Sequence, residues 1–157
     1  DKFNTNLSVI KSVIKSNENR SLLLLIRVFH LLKGKVKNKK ICFLGVTFKA
    51  NTDDMRDSSS LSMIPSLVRK GAKVNYYDPT GEKNEFKKIK NVNFSKNIKS
   101  AIKDSDLVII HTEWNDFKTI NFNKDVSNKK FILFDMRNIY SPVKMKDLKI
   151  NYFGIGH

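Results

Sequence analysis

Ile41-Cys-Phe-Leu-Gly-Val-Thr-Phe-Lys-Ala-Asn-Thr-Asp-Asp-Met-Arg-Asp57 is the stretch that decides the fold. Its first five residues, Ile41 to Gly45, form an apolar run without alternation. Such a run reads as a strand covered on both faces, the condition of a strand inside a parallel sheet. Val46 to Asp57 is polar and charged and reads as a loop. From Ser58 to Lys70, Leu61, Ile64, Leu67 and Val68 share one side of a helix, and Gly71 stops it.

The same alternation continues downstream. Lys73–Tyr77 reads as a second strand ended by Asp78-Pro79. The Lys-rich stretch 80–95 is predicted to carry a weak helix, and 96–103 a further one. Leu107–His111 is the third strong strand, 114–128 holds short helical turns, Phe131–Asp135 is the fourth strand, and Tyr152–Ile155 closes the chain. Apolar strands alternating with helices predict an α/β fold: a doubly wound, mainly parallel, Rossmann-like sheet with helices on both faces. Ile41–Gly45 should lead it, with Lys73–Tyr77 and Leu107–His111 on either side.

Upstream, residues 7–33 read as a helix. Leu7, Ile10, Val13 and Ile14 recur at helical spacing. From Leu22 to Leu32 the apolar residues crowd most of its sides, so it should be buried on most of them, against its own domain and something else. Gly34 is the expected C-cap.

Composition excludes several classes. The chain has 157 residues, 40% hydrophobic and 29% charged, which suits one globular domain and not a disordered tail. It starts at Asp1 without Met, the mark expected of a piece of something longer. No apolar run approaches the roughly 20 residues that cross a bilayer, so no membrane is expected. The net charge is +15, but 25 of the 30 cations are Lys and only 5 are Arg. Lys is a mobile point charge without the fork that reads phosphates and bases. Lys, Asn, Ile and Phe enrichment favours compositional drift over a nucleic-acid surface. A lone Cys42 excludes a disulfide framework or a thiolate zinc site and suits a reducing, cytoplasmic setting.

In open α/β sheets ligands bind beyond the carboxyl ends of the strands, which selects the loop after Gly45. With a single glycine and too great a length, it is no dinucleotide fingerprint. It offers Lys49 and Arg56, the acids Asp53 and Asp54, and Ser58, Ser59 and Ser60 as caps of a helix whose positive end faces the same crevice. Cations beside a helix N-terminus suit a phosphate-bearing ligand; the alternative is a charged surface loop with ordinary salt bridges. Arg137, just after the fourth strand, stands out in a chain that uses Lys by default, either as a bidentate ligand contact or as a structural partner of Asp135. Asp78 reads as a turn residue more readily than a ribose contact, His111 as a satisfied core residue, and Cys42 as inert packing. His30 and His157 have no partners that suggest a metal. No nucleophile–base pair and no metal spacing is visible.

Gly45-Val-Thr-Phe-Lys-Ala-Asn-Thr-Asp-Asp-Met-Arg-Asp-Ser-Ser-Ser-Leu61 resembles the signature of the UDP-glucose/GDP-mannose dehydrogenase family. The resemblance continues through Gly71-Ala-Lys-Val74, Tyr77-Asp-Pro79, Thr112-Glu-Trp-Asn-Asp-Phe117, Asp135-Met-Arg-Asn-Ile-Tyr140 and Phe153-Gly-Ile-Gly156, in order over nearly all of the chain. It implies residues 1–35 as the end of a long central dimerisation helix and 36–157 as the C-terminal nucleotide-sugar-binding domain. The wording is most similar to the branch that oxidises UDP-glucose to UDP-glucuronate in two NAD-dependent steps, through a thiohemiacetal on a cysteine upstream of the long helix. A GDP-mannose or UDP-hexosamine dehydrogenase, or a non-catalytic nucleotide-binding module, stays open.

Residue by residue, the resemblance implies Phe48, Lys49 and Arg137 as substrate-binding and Arg56 as the contact to NAD. NAD would be held mainly by a domain outside this chain. No catalytic residue and no metal ligand falls within the chain, which alone should be inactive. The implied partners are UDP-glucose, NAD and a second copy of the protein, in cytoplasmic polysaccharide biosynthesis. Ser59 departs from the family, where Pro is common; the departure should cost rigidity at the helix start and touch no ligand contact.

Overall fold

The computed structural model describes residues 20–156. The chain divides into two compact units, with the boundary between Lys35 and Val36.

The first unit is helical over 20–31 (α1). The predicted beginning of this helix near Leu7 lies outside the described residues. Its end is a Schellman turn: Lys33 N–H bonds the His30 carbonyl and Gly34 N–H reaches back to the Phe29 carbonyl, each at 2.9 Å. Lys33 and Gly34 both have positive φ, 51° and 73°, so the left-handed turn begins one residue before the predicted cap. Val28 and Leu32 are buried, but Leu22, Leu23 and Ile26 are exposed. The expectation of burial on most sides is therefore met on only part of this helix.

The second unit is a six-stranded, wholly parallel sheet in the order β3-β2-β1-β4-β5-β6. The strands are β1 Lys40–Leu44, β2 Lys73–Tyr77, β3 Val92–Phe94, β4 Leu107–Ile110, β5 Ile132–Asp135 and β6 Asn151–Gly154. β1 lies between β2 and β4 as predicted, with Phe43 opposite Tyr76 on one side and Ile109 on the other. The apolar runs follow from this placement. Every residue of β4 is buried, and so is every residue of β1 after Lys40.

One face of the sheet, carrying Cys42, Leu44, Val108, Ile110 and Leu133, packs with Ala101 and Ile102 of α3 (Ile98–Ile102), Phe122 of α4 (Phe122–Asp125) and Met145 of α5 (Pro142–Asp147). Alternation sends Ile41, Phe43, Leu107, Ile109 and Phe134 to the other face, where they are equally buried. α2 (Ser60–Arg69) follows β1, packs on β2, and buries Met63, Ile64 and Leu67.

Two elements differ from the sequence reading. The weak helix expected within 80–95 is absent. Residues 84–91 form turns instead, and Val92–Phe94 adds the edge strand β3. The cause is an aromatic anchor. Phe86 is buried and packs edge-on to Tyr76 at 5.4 Å, and Phe94 contacts the same ring at 5.4 Å. Successive i→i−3 bonds, Phe86 to Lys83 and Ile89 to Phe86, wrap the segment round that ring. α5 was not predicted. It starts at the Ser141 cap, whose side chain accepts the Lys144 N–H, with Pro142 in the first turn.

Candidate functional site

The crevice is built where β1 and β4 end. Gly45 turns the chain with φ 75°, and its N–H donates to the Tyr77 carbonyl at 2.8 Å. A Cβ on Gly45 would stand 2.5 Å from the Thr112 Cβ, so only glycine passes this point. The next N–H, of Val46, donates to Asp78 Oδ2 at 2.9 Å. The other oxygen of Asp78 accepts from the Thr80 N–H at 3.0 Å and from the Thr80 hydroxyl. Buried Lys83 places its Nζ 3.9 Å from the same carboxylate. Asp78 is thus a turn residue that also pins the loop, and both of its oxygens are engaged.

Ser58 and Ser60 close the far end of the loop. Both hydroxyls donate to the Val46 carbonyl at 2.6 Å, tying the start of α2 to the exit of β1. Ser58 Oγ also accepts the Ser60 N–H at 3.3 Å. Ser59 makes no cap bond. The three serines therefore staple the loop more than they cap the helix. The Ser59 hydroxyl lies 2.8 Å from His111 Nε2, and His111 Nδ1 lies 3.1 Å from Thr112 Oγ1. Thr112 Oγ1 in turn donates to the Thr47 carbonyl at 3.0 Å. His111 is buried, and desolvation, with a smaller contribution from the charge of Arg137, pushes its pKa down to about 3. The imidazole is neutral at any ordinary pH. As the sequence suggested, it is a satisfied core residue, but it is satisfied by the loop.

The four residues singled out as ligand contacts lie on or beside this loop. Phe48 is 48% exposed and its N–H closes a turn onto the Asp54 carbonyl at 2.9 Å. Lys49 is exposed next to it. Arg137 is drawn across the crevice: Nε donates to the His111 carbonyl at 2.8 Å and meets Glu113 Oε2 at 3.0 Å, and Nη2 donates to the Phe48 carbonyl at 3.2 Å. From Arg137 the Asp135 side chain takes the backbone N–H, at 3.0 Å, and its other oxygen accepts from the Tyr140 N–H and the Tyr152 hydroxyl, so the pair with Arg137 is made through the main chain and not through the guanidinium. Arg56 grips Asp54 through Nε at 3.0 Å and Nη2 at 2.8 Å, its side chain 88% exposed. These bonds, with smaller help from Lys49, hold the Asp54 carboxyl down at about 2. Phe48, Lys49 and Arg137 are brought together, whereas Arg56 points outward from the loop's far limb.

The turn after β1 is lined by the chain's own groups: Thr112 lies against Gly45, and both oxygens of Asp78, at the place of a ribose contact, accept hydrogen bonds from Val46 and Thr80. Among the described residues no group of three His, Cys, Asp or Glu could hold a metal. Cys42 is fully buried and burial raises its thiol pKa far above the ordinary range, as inert packing requires.

The family model for the UDP-glucose/GDP-mannose dehydrogenase family, UDP binding domain, matches residues 42–142, a span that contains the whole crevice. The chain belongs to this family. The UDP-glucose 6-dehydrogenase of Rickettsia felis is 36% identical over 151 residues, covering 94% of this chain and 34% of that protein. The UDP-glucose 6-dehydrogenase of Rhizobium meliloti is 34% identical, covering 97% of this chain and 35% of that protein. The chain thus spans about a third of the length of these curated relatives. A solved UDP-glucose dehydrogenase from Pyrobaculum islandicum shares the fold with a TM-score of 0.69 at 22% identity, covering 85% of this chain and 31% of that one.

Proposed function

We propose that this UDP binding domain serves an NAD-dependent UDP-glucose 6-dehydrogenase, which oxidises UDP-glucose to UDP-glucuronate for polysaccharide biosynthesis in the cytoplasm. The observation that carries the reading is Arg137 lying across the crevice onto the Phe48 carbonyl. A guanidinium held at Nε and Nη2 is fixed in direction, and it shares the loop's rim with the exposed Phe48 and Lys49. In this reading Phe48 packs on the nucleotide sugar, Lys49 supplies a charge-assisted bond to its phosphates, and Arg137 orients it. None of these groups takes part in the chemistry, so the domain binds and positions while the reacting groups and most of the NAD site lie elsewhere. Arg56, outward-facing, is the proposed contact from this domain to NAD.

Residues 1–35 are proposed as the end of the central helix and 36–157 as the C-terminal nucleotide-sugar-binding domain. The exposed Leu22, Leu23 and Ile26 support a homodimer formed through that helix. Isothermal titration of the chain with UDP tests the reading. UDP should bind with a modest salt dependence. A failure to bind UDP, together with nucleic-acid binding that falls steeply with log salt, would assign the +15 charge to a different partner and overturn the reading. The chain alone should make no NADH from UDP-glucose and NAD.

A further inference from the structure

We infer that Ser59 and His111 are positioning residues, which set the shape of the nucleotide-binding loop through a hydrogen-bonded chain with one direction. The inference rests on the UDP-binding reading above. Its starting point is proton counting. Thr112 has a single hydroxyl proton, and it goes to the Thr47 carbonyl at 3.0 Å. Toward His111 Nδ1, 3.1 Å away, Thr112 Oγ1 therefore accepts, and Nδ1 carries the imidazole proton. Nε2 is then a bare acceptor, and the Ser59 hydroxyl at 2.8 Å must be its donor. The chain runs Ser59 to His111 to Thr112 to the Thr47 carbonyl.

Its two ends hold the two limbs of one loop. Thr47 stands at the entry, immediately before Phe48 and Lys49, and Ser59 at the exit, immediately before α2. The backbone carbonyl of the same His111 takes Arg137 Nε at 2.8 Å. One buried residue thus joins both limbs of the loop by its ring and the ligand-facing guanidinium by its main chain. This also accounts for a serine where a cap bond is not made. Ser59 has φ −62° and ψ −19°, already helical, so its side chain is released from capping and turns to the imidazole. A proline at this position would have no proton to give, and Nε2 would be left buried without a donor.

The test has two readouts. The first does not depend on UDP. In the chain labelled with nitrogen-15 histidine, His111 should carry its proton on Nδ1, and Ser59→Ala should speed amide exchange at Phe48 while unfolding remains cooperative. The second is UDP titration. Loss of one neutral hydrogen bond should weaken UDP binding a few-fold to about tenfold in Ser59→Ala. His111→Asn can keep the Thr112 contact but cannot reach Ser59, so it should weaken binding similarly. His111→Gln, which extends an acceptor to the Nε2 position, should restore much of the affinity. The double variant Ser59→Ala/His111→Asn should be no weaker than either single one, because both cut the same chain. A proton on Nε2, unchanged Phe48 exchange in Ser59→Ala, or additive losses would overturn the inference. If the unsubstituted chain binds no UDP while the tautomer and the exchange behave as stated, the functional reading fails and the loop-positioning role stands.

Discussion

The two edges of the sheet are built on opposite principles. At the carboxyl edge lie Thr47, Ser58, Ser60, Asp78, His111, Thr112 and Asp135, all buried and all hydrogen-bonded. At the amino edge, Lys39, Lys40, Lys73, Lys129 and Lys130 stand in solvent or half in it, and the first two meet Asp106 and Asp104. Their ion pairs are open ones: Lys39–Asp106 at 3.1 Å and Lys40–Asp104 at 3.7 Å, with side chains 27–58% exposed. Surface pairs of that kind contribute little, whereas a buried polar group that loses its partner costs its full desolvation. Helix ends add to the contrast. Basic residues such as Arg69 of α2 and Lys146 of α5 fall in last turns, where cations suit the helix dipole. Exposed lysines thus gather at the edge that tolerates them, and the other edge is built from buried, hydrogen-bonded groups.

The largest effect should come from Gly45→Ala. The new Cβ meets Thr112 at 2.5 Å at a φ of 75°, so overpacking and strain add. Denaturant unfolding should show a loss of about 2–4 kcal/mol. A loss under about 1 kcal/mol would mean that the two strand ends part easily, and that the carboxyl edge is softer than its bonds suggest.

Lys49→Ala comes next. UDP affinity should fall on the order of tenfold to a hundredfold, the worth of a charge-assisted bond, with little change in stability. Lys49→Arg should rescue only in part, since a planar fork does not replace a point charge. Wild-type affinity in Lys49→Ala would return the loop to the status of a solvated turn.

Acid should separate the edges through His111. Its folded pKa of about 3 lies below the unfolded value near 6.5, so between these the unfolded chain binds the extra proton. The stability from the neutral ring is therefore full above pH ~6.5 and drops by roughly 1.4 kcal/mol per pH unit below it. Arg137 beside the ring acts in the same sense. Asp54 also loses its stabilised anion in acid, but only as pH falls through the ordinary carboxylate range toward about 2, below the upper part of the histidine window. Urea unfolding from pH 7 to 5 should show this slope, and His111→Gln should flatten it. An unchanged slope in the variant would place the titration elsewhere.

The smallest effect should be at the amino edge. Lys40→Ala removes the exposed pair with Asp104 and should cost no more than about 0.5 kcal/mol. A loss above about 1 kcal/mol there would erase the contrast between the edges.

Legibility in the sequence divides along similar lines. β1, β4 and β5 were readable because burial on both faces leaves apolar runs such as Leu107-Val-Ile-Ile110, whereas β2, Lys73–Tyr77, alternates buried and half-exposed positions and was marked by Gly71 before it and Asp78-Pro79 after it. β3 was not, because Val92-Asn-Phe94 is short, half-exposed and set in a Lys-rich stretch whose order comes from the distant Tyr76 ring. The position of the crevice followed from the strand order, and Phe48, Lys49, Arg56 and Arg137 were found on or beside it. The serines were read by the local rule for helix starts. Their actual partners, the Val46 carbonyl and His111, lie 12 to 52 positions away, beyond the reach of any local rule.

That separation has a consequence in time. The bonds that shape the crevice span 52 positions from Ser59 to His111, 65 from Thr112 to Thr47 and 89 from Arg137 to Phe48. The first two close only after β4 has paired with β1, and the third only after β5 has paired with β4. Contacts so distant along the chain form late and slowly. During synthesis, the loop that carries Phe48 and Lys49 leaves the ribosome long before Arg137 exists to hold it. A ligand that needs all three would thus recognise only finished chains, and its binding would mark the last event of folding, not an early one.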